Sequence, residues 1–592
     1  MKILATTACI ETWGSSNDEV VFLGEWCKRY THKKEWKDKK YSVISYHWKD
    51  RFKLQKDYEY LFEFYEKLLS ELCIQLNKIH GVKYTKRYWR IVIGPWLLIY
   101  LPVLWDRWES VNKACNKREK FITFVPDAVI NREVANDYNS AVKLVTNNDN
   151  WNYLLFCSIL KFKKQRNITL IKKFFKPIKN KDLKFDIGKK SAIYIVAKAL
   201  DYLLSKLPSS YNSKFVLYKL QVPIFSLVMI FVRLFRCPRL FLEFEEKINY
   251  CKTSINYRNA NEKVYLNGNF ENFVRQQVFK DMPIAYLENY QTIAAKVKKS
   301  NFSQKAKIIM TASAHYYNEM FKFWAAGMVD NGSRLIISSH GGSMRSKFEV
   351  FDHEEKISDC KITWSKPFHD KHIQLSPNKV IKKGDYNGKG IYITLIDFEK
   401  YRYADRIQST PMSSLILEDF KQKVDFIHLM KVSNLEEVKV RPYEGIQGWS
   451  TKERYIDIFG DKIISNCKTA GEVFKNSKIV VCAYPQTAFF ESMQSGIPTI
   501  LLYFEKYWEV EKTFLPLVEE MRNIGILHNN AESAVEHIKA IYSNPFKWWN
   551  DIETRRVRRM FDNICGAPSQ DVSIDKEWSE FLMKIVNNPE IE

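Results

Sequence analysis

From residue 305 onward, short apolar segments alternate with helical ones, and this alternation constrains the fold more than any other feature of the chain. Residues 307–311 (KIIMT), 334–338 (RLIIS) and 360–364 read as strands, with a helix over 315–328 between the first two. A second series follows. Residues 390–396 (GIYITLI), 437–440 (EVKV), 463–464, 479–482 (IVVC) and 499–503 (TILLY) read as strands, and 411–430 and 488–494 as helices. Short apolar strands separated by helices imply βαβ units and a parallel sheet covered on both faces. The expected class is α/β, with two facing Rossmann-like domains and a site in the cleft between them. Changes in pattern mark four segments. Residues 1–160 are the N-terminal part of the first Rossmann-like domain with a helical region, and 161–300 a basic, helix-rich insertion. Residues 301–380 complete the first domain, and 381–592 form the second. The boundary between the two series falls near residues 370–389, in a turn-rich basic stretch.

The N-terminal half is less regular. Residues 2–7 open as a strand, and 20–26 are apolar. Over 56–80, Leu61, Tyr65, Leu68, Leu72, Leu76 and Ile79 recur at helical spacing and so share one face. The longest apolar runs, 91–105 and 222–232, fall short of the roughly 18 residues that span a bilayer. Gly94, Pro95 and Pro102 are expected to break any helix over the first run, and both runs read as buried core. The second is followed at once by Arg233, Arg236 and Arg239, a pattern that also suits an anionic membrane surface. Residues 161–190 carry 12 basic and 2 acidic side chains, either a solvated face or a contact for lipid phosphate.

Lys and Arg outnumber Asp and Glu by 92 to 68, a surplus of 24. Such a surplus implies anionic partners or simply a lysine-rich surface, and does not choose between them. No nucleic-acid-binding signature accompanies it, so nucleic acid is not an expected partner. The 11 cysteines are scattered without a CxxC pair, which argues against a disulfide framework or a zinc site and fits reduced thiols in the cytoplasm. The opening MKILATTACIETWG lacks the apolar core of a signal peptide.

In an open parallel sheet, ligands bind beyond the carboxyl ends of the strands, and three clusters sit there. In Ser339-His340-Gly341-Gly342-Ser343, two glycines let backbone N–H groups approach an anion, and His340 suits a general base; a plain turn with a surface histidine is the alternative. In Val440-Arg441-Pro442-Tyr443-Glu444, Arg441 is placed to bind a donor phosphate with Tyr443 beside it, or to pair with Glu444. In Ala483-Tyr484-Pro485-Gln486-Thr487, followed by Glu491 and Gly496-Ile497-Pro498-Thr499, Gln486 and Thr487 open a helix whose N-terminus suits a diphosphate. Glu491, one turn on, is placed to accept hydrogen bonds from a sugar or ribose. Nearer the N-terminus, His47, Asp50, Arg51, His80, Arg90, Asp106 and Arg107 lie among aromatics. They form either an acceptor-binding set or a satisfied buried network.

The order of these clusters resembles the CDP-glycerol glycerophosphotransferases of teichoic-acid synthesis and several capsule sialyltransferases, which are GT-B-like. Those families usually have His-Pro where this chain has Arg441-Pro442, so the resemblance carries phosphate binding to Arg441 and not proton transfer. The strings TT…ETW…VFLGEWC (6–27), YHWKDR (46–51), LNKIH (76–80), RYWRIVIGPWL (87–97) and DRW (106–108) are similar to a family of transferases encoded in bacterial O-antigen loci. The resemblance extends over nearly the whole chain, SHGG and TxxxE…GIPT included. It implies a glycosyltransferase-like enzyme that moves a sugar from a nucleotide-activated donor to a polysaccharide or lipid-linked acceptor. His340 and Glu491 would then be catalytic, and Gly341, Gly342, Arg441, Tyr443, Gln486 and Thr487 would hold the donor. Neither metal nor cofactor is expected, since Arg, Lys and helix N-termini can neutralise a leaving diphosphate. The expected location is the cytoplasm, with peripheral attachment to the inner membrane face. A glycerol- or ribitol-phosphate transferase, and a nucleic-acid- or lipid-binding non-enzyme, are the rival readings.

Overall fold

The computed structural model describes residues 2–164, 166–174, 192–207, 214–254, 257–258, 269–300, 302–349, 351–378, 389–435, 437–445, 447–566 and 573–587. Among these, the strands form three five-stranded sheets in which every pairing is parallel. The first contains β1 (Lys2–Ala5), β2 (Val20–Phe22), β3 (Tyr41–Val43), β4 (Phe121–Pro126) and β5 (Ile168–Lys173), in the order β3-β2-β1-β4-β5. The second contains β6 (Phe215–Tyr218), β7 (Ile308–Thr311), β8 (Arg334–Ser338), β9 (Cys360–Thr363) and β10 (His372–Gln374), in the order β10-β9-β8-β7-β6. The third contains β11 (Tyr392–Ile396), β12 (Val438–Arg441), β13 (Ser477–Cys482), β14 (Thr499–Leu502) and β15 (Leu527–His528), in the order β12-β11-β13-β14-β15. The first and third sheets reverse direction beside their opening strand, and each therefore has a switch point where ligands characteristically bind.

The α/β class with parallel sheets is thus the one the alternation implied. The division into segments differs. Residues 301–380 do not complete a sheet begun by residues 1–160, because their strands β7–β10 pair with one another and with β6 in a separate sheet. Nor is 161–300 wholly an insertion: β5 pairs with β4 and β6 with β7. Residues 463–464 are no strand; a short 3-10 turn (Asp461–Ile463) precedes Ile464, which makes one bridge to Val440. Within the expected boundary, residues 379–388 lie outside the described residues, as do 165 and 175–190 of the basic stretch.

Two 30-residue helices join the first two sheets. Helix α1 (Arg51–His80) is capped by Asp50, which accepts from the N–H of Phe52 and Lys53, and ends at Gly81 with φ 64°. Helix α2 (Lys86–Cys115) runs unbroken through Gly94, Pro95 and Pro102, contrary to expectation. An internal proline costs a helix about 3 kcal/mol. Here the cost is offset by burial along nearly the whole length, against α1 and α3 (Glu319–Asp330). By length and composition α2 could cross a membrane, yet it is enclosed within the protein. One apolar core runs continuously through all three sheets.

Candidate active site

The second and third sheets meet at the carboxyl ends of β8 and β13. After β8 the chain turns through Ser339-His340-Gly341-Gly342; after β13 it passes Gln486 into helix α4 (Thr487–Ser495). A β-carbon at residue 341 would lie 2.4 Å from Thr487 Oγ1, and one at residue 342 would lie 2.3 Å from the Phe490 ring. The glycines are required by this approach of one unit to the other. The N–H of Met344 donates to the Pro485 carbonyl (3.3 Å), that of Lys347 to Glu509 (2.8 Å), and that of Glu511 to Arg345 (2.8 Å).

This junction borders a cavity of about 320 Å³. His340, Gly341, Gly342, Gln486 and Thr487 all line it, so two of the three sequence clusters converge there. Further side chains reach it that the sequence pattern did not single out: Arg345, Glu349, Arg406, Gln408, Thr410 and Tyr316. Arg345 pairs with Asp352 (2.8 Å) and lies over the Phe368 ring (4.0 Å); Lys361 holds Glu354 and Glu355, each at 2.8 Å. Burial would raise the Glu354 carboxyl, but Lys361 and His315 hold it well below the usual carboxylate range. The Glu349 carboxyl moves the other way: burial raises it and outweighs Arg345 and Lys361, with Glu354 and Glu355 adding to the rise. A raised carboxyl in a cavity suits proton transfer. Among the described residues, Arg406 has only its chain neighbour Asp405 as an ion-pair partner, at 2.8 Å. Its cation is stabilised chiefly by that carboxylate, against the cost of burial.

Arg406 is carried on the loop that follows β11, and the first unit holds that loop in place. Arg402, almost wholly buried, donates to Asp149 (2.8 Å) and to the Trp26 carbonyl, and Tyr403 Oη donates to the same carboxylate (2.6 Å). Arg29 reaches Asp149 from within the first unit at 2.6 Å. Arg107 donates to the Ala404 carbonyl (2.7 Å). The carboxyl edge of the first sheet, where its own ligand would be sought, is thus engaged by this loop.

Arg441 and Tyr443 are not in the same cavity. They line a second one of about 360 Å³ at the end of β12, with Glu399, Gln447, Thr451 and Lys452. Arg441 donates to the Lys468 carbonyl (3.1 Å) and lies 3.8 Å from Glu444. Glu399 is committed to the Trp449 N–H and the Thr451 hydroxyl, both at 2.8 Å. Glu491, half-buried in α4, lines neither cavity.

The expected acceptor-side residues are a correction. None lines either cavity, and each has a structural partner. Asp106, fully enclosed, accepts from Tyr46 (2.6 Å), lies 3.0 Å from His47 Nε2 and pairs with Arg107 (2.8 Å). Asp50 caps α1. Arg51 binds Glu509 with two bonds of 2.6 Å, tying α1 to the third unit. His80 meets the Tyr286 carbonyl (3.0 Å) and stacks on Tyr290, and Arg90 forks onto Glu66 with two bonds of 2.7 Å. Buried charges need such partners, which is why polar residues scattered among aromatics imitate a binding site. The described residues hold no group of three or more His, Cys, Asp or Glu arranged to bind a metal ion.

Solved structures similar to the chain include an α,α-trehalose-phosphate synthase from Burkholderia vietnamiensis, at 9% identity and a TM-score of 0.36, covering 64% of this chain and 98% of that one. Another is the wall teichoic acid polymerase TagF, at 11% identity and 0.30, covering 67% and 92%. A third is the pneumococcal O-GlcNAc transferase GtfA, at 12% and 0.30, covering 50% and 60%. Likenesses this distant assign neither a donor nor an acceptor. No curated protein matches the chain. The model of the LIC12162 family transferases matches residues 2–582, nearly the whole length, and the chain therefore belongs to that family of transferases.

Proposed function

We propose that this transferase moves a sugar from a nucleotide-activated donor to a surface-polysaccharide acceptor of the O-antigen, lipopolysaccharide or capsule type. One observation carries the reading: the SHGG turn of the second unit and the N-terminus of α4 in the third close on one cavity, with the Arg406 guanidinium at its wall. Free N–H groups at a helix start and a guanidinium suit a diphosphate. The second cavity, at the end of β12 on the far side of β11 from β13, is assigned to the nucleoside end, with Arg441 and Tyr443 as its contacts. In the transfer an acceptor hydroxyl oxygen bonds to the sugar's anomeric carbon as the bond to the donor phosphate breaks. His340 takes the hydroxyl proton, and the nucleotide leaves as an anion neutralised by Arg406 and α4. Eleven free cysteines support a cytoplasmic setting, where such donors are made.

A thermal-shift screen tests the reading against CMP-, CDP-, UDP-, GDP- and dTDP-linked sugars together with CDP-glycerol. Stabilisation by one nucleotide sugar is the expected result, since a ligand at 100 times its Kd adds about 2.7 kcal/mol. Stabilisation by CDP-glycerol alone would favour a glycerol-phosphate transferase, and no shift with any donor would overturn the proposal.

A further inference from the structure

Away from the cavities, the helix Ile224–Arg233 is apolar except at Ser226 and Arg233, yet only half of it is covered. Ile230, Phe231 and Leu234 face inward, and the helix packs against the C-terminal helix Ile574–Asn587. Arg233 fixes that contact through Asp575 (2.7 Å). On the other side Ile224 and Val232 are exposed, Phe225 is 73% exposed, and Phe235, just past the helix end, is 80% exposed. Large apolar side chains of a helix are normally turned toward the core. A second helix, Ala192–Ser205, is tied to the segment that follows Phe235. The buried Asp201 accepts from Arg239 Nε (3.1 Å) and from the N–H groups of Leu240 and Leu242 (2.7 and 2.8 Å). Leu200, Leu203 and Leu207, around that anchor, are also exposed. Exposed apolar side chains grouped on one side of a helix mark an interaction site, unlike single exposed residues.

Charge identifies the partner. Between Lys198 and Leu240 the sequence has seven basic side chains and one acidic one, Asp201, which lies inside. Lys198, Lys206, Lys214, Lys219 and Arg233 are all exposed. Lys219 pairs with Glu245, as Arg233 does with Asp575. We propose that this face docks on an anionic lipid bilayer, with Phe225, Phe235, Ile224 and the leucines entering the headgroup boundary and the basic side chains meeting lipid phosphates. A second copy of the chain fits less well, because a two-fold contact would set the basic rim against itself. The inference does not depend on the identity of the donor or acceptor.

The test is co-sedimentation of the full chain with vesicles of phosphatidylcholine alone and of phosphatidylcholine mixed with phosphatidylglycerol, with light scattering on the free protein. Wild type is expected to sediment with the anionic vesicles at low salt, little with the neutral ones, and less as salt rises, because screening shortens the reach of exposed charges. F225E/F235E is expected to lower the bound fraction at least tenfold (an order-of-magnitude loss of apolar insertion) with thermal unfolding unchanged. K198E/K206E, which leaves the apolar surface intact, is expected to weaken binding to anionic vesicles alone. Failure of wild type to bind anionic vesicles at low salt would overturn the proposal whatever the variants do. Equal binding by wild type and a folded F225E/F235E would also overturn it. So would a wild-type dimer that F225E/F235E splits into monomers, since the face would then belong to a second copy.

Discussion

Gly341 and Thr487 follow strands of different sheets, yet a β-carbon on the first would fall 2.4 Å from the hydroxyl of the second. The contact is a steric gauge of how closely the two units must approach for the cavity to exist. Gly341→Ala must displace the Thr487 hydroxyl at the start of α4. The expected cost is about 1–3 kcal/mol, as for other overpacked sites, with transfer activity lost beyond what that destabilisation explains. Thermal unfolding and activity per folded molecule check this. An alanine variant with wild-type turnover would mean that the closeness serves packing alone.

Glu66 collects three cations: Arg90 and Lys86 from α2, and Lys356 from the second unit, at 2.7–2.8 Å. Burial would raise its carboxyl, but these partners outweigh burial and hold it well below the ordinary 4.5. A depressed carboxyl contributes stability that is present above the unfolded value and is lost as pH falls through the folded one. Glu66→Gln is therefore expected to lower the unfolding temperature at pH 7 and to flatten its decline below pH 4.5. Unfolding curves from pH 7 into the acid range test both. Parallel curves for variant and parent would remove Glu66 from the acid response.

Arg402 crosses from the third unit to Asp149 of the first at 2.8 Å. Arg402→Met keeps much of the volume but leaves the loop bearing Arg406 without its anchor and Asp149 with one cation fewer. Breaking a buried pair from one side costs roughly 3–5 kcal/mol; Arg29 remains beside Asp149, so the lower end, about 3 kcal/mol, is expected in denaturant titrations. Turnover should fall as well, through a loosened Arg406. A stable variant with full activity would show that the loop holds its place without the pin.

The parallel sheets were legible because β7, β13 and β14 are short and apolar, buried on both faces. Of the earlier strands β1 was read as one and β2 only as an apolar patch; β3 is three residues, two of them exposed, and β5 mixes Lys with Ile at a sheet edge, so neither stood out. Helix α2 was misread because its two prolines are local signals, while the burial that overrides them is set by distant partners. The SHGG turn and Thr487 were legible from their places just beyond strand ends. Residues 397–410 stand in the same relation to β11, and that position alone marks Arg406 and Thr410 as candidates. His47, Asp106 and Arg107 were drawn into the candidate site because a buried network and a binding site use the same residue types. Only their enclosure tells them apart.

Arg406 and the start of α4 are together assigned the donor's phosphates, in the cavity that His340 also lines, and the proposed function stands on that assignment. Calorimetric titration of wild type and Arg406→Gln with whichever nucleotide sugar stabilises the protein tests it most directly. Loss of a hydrogen-bonded charge contact is worth about 1.5–3 kcal/mol, so the variant should bind roughly tenfold to a hundredfold more weakly while unfolding at the parent's temperature. Undiminished affinity in a folded Arg406→Gln protein would contradict the assignment and move the donor out of this cavity.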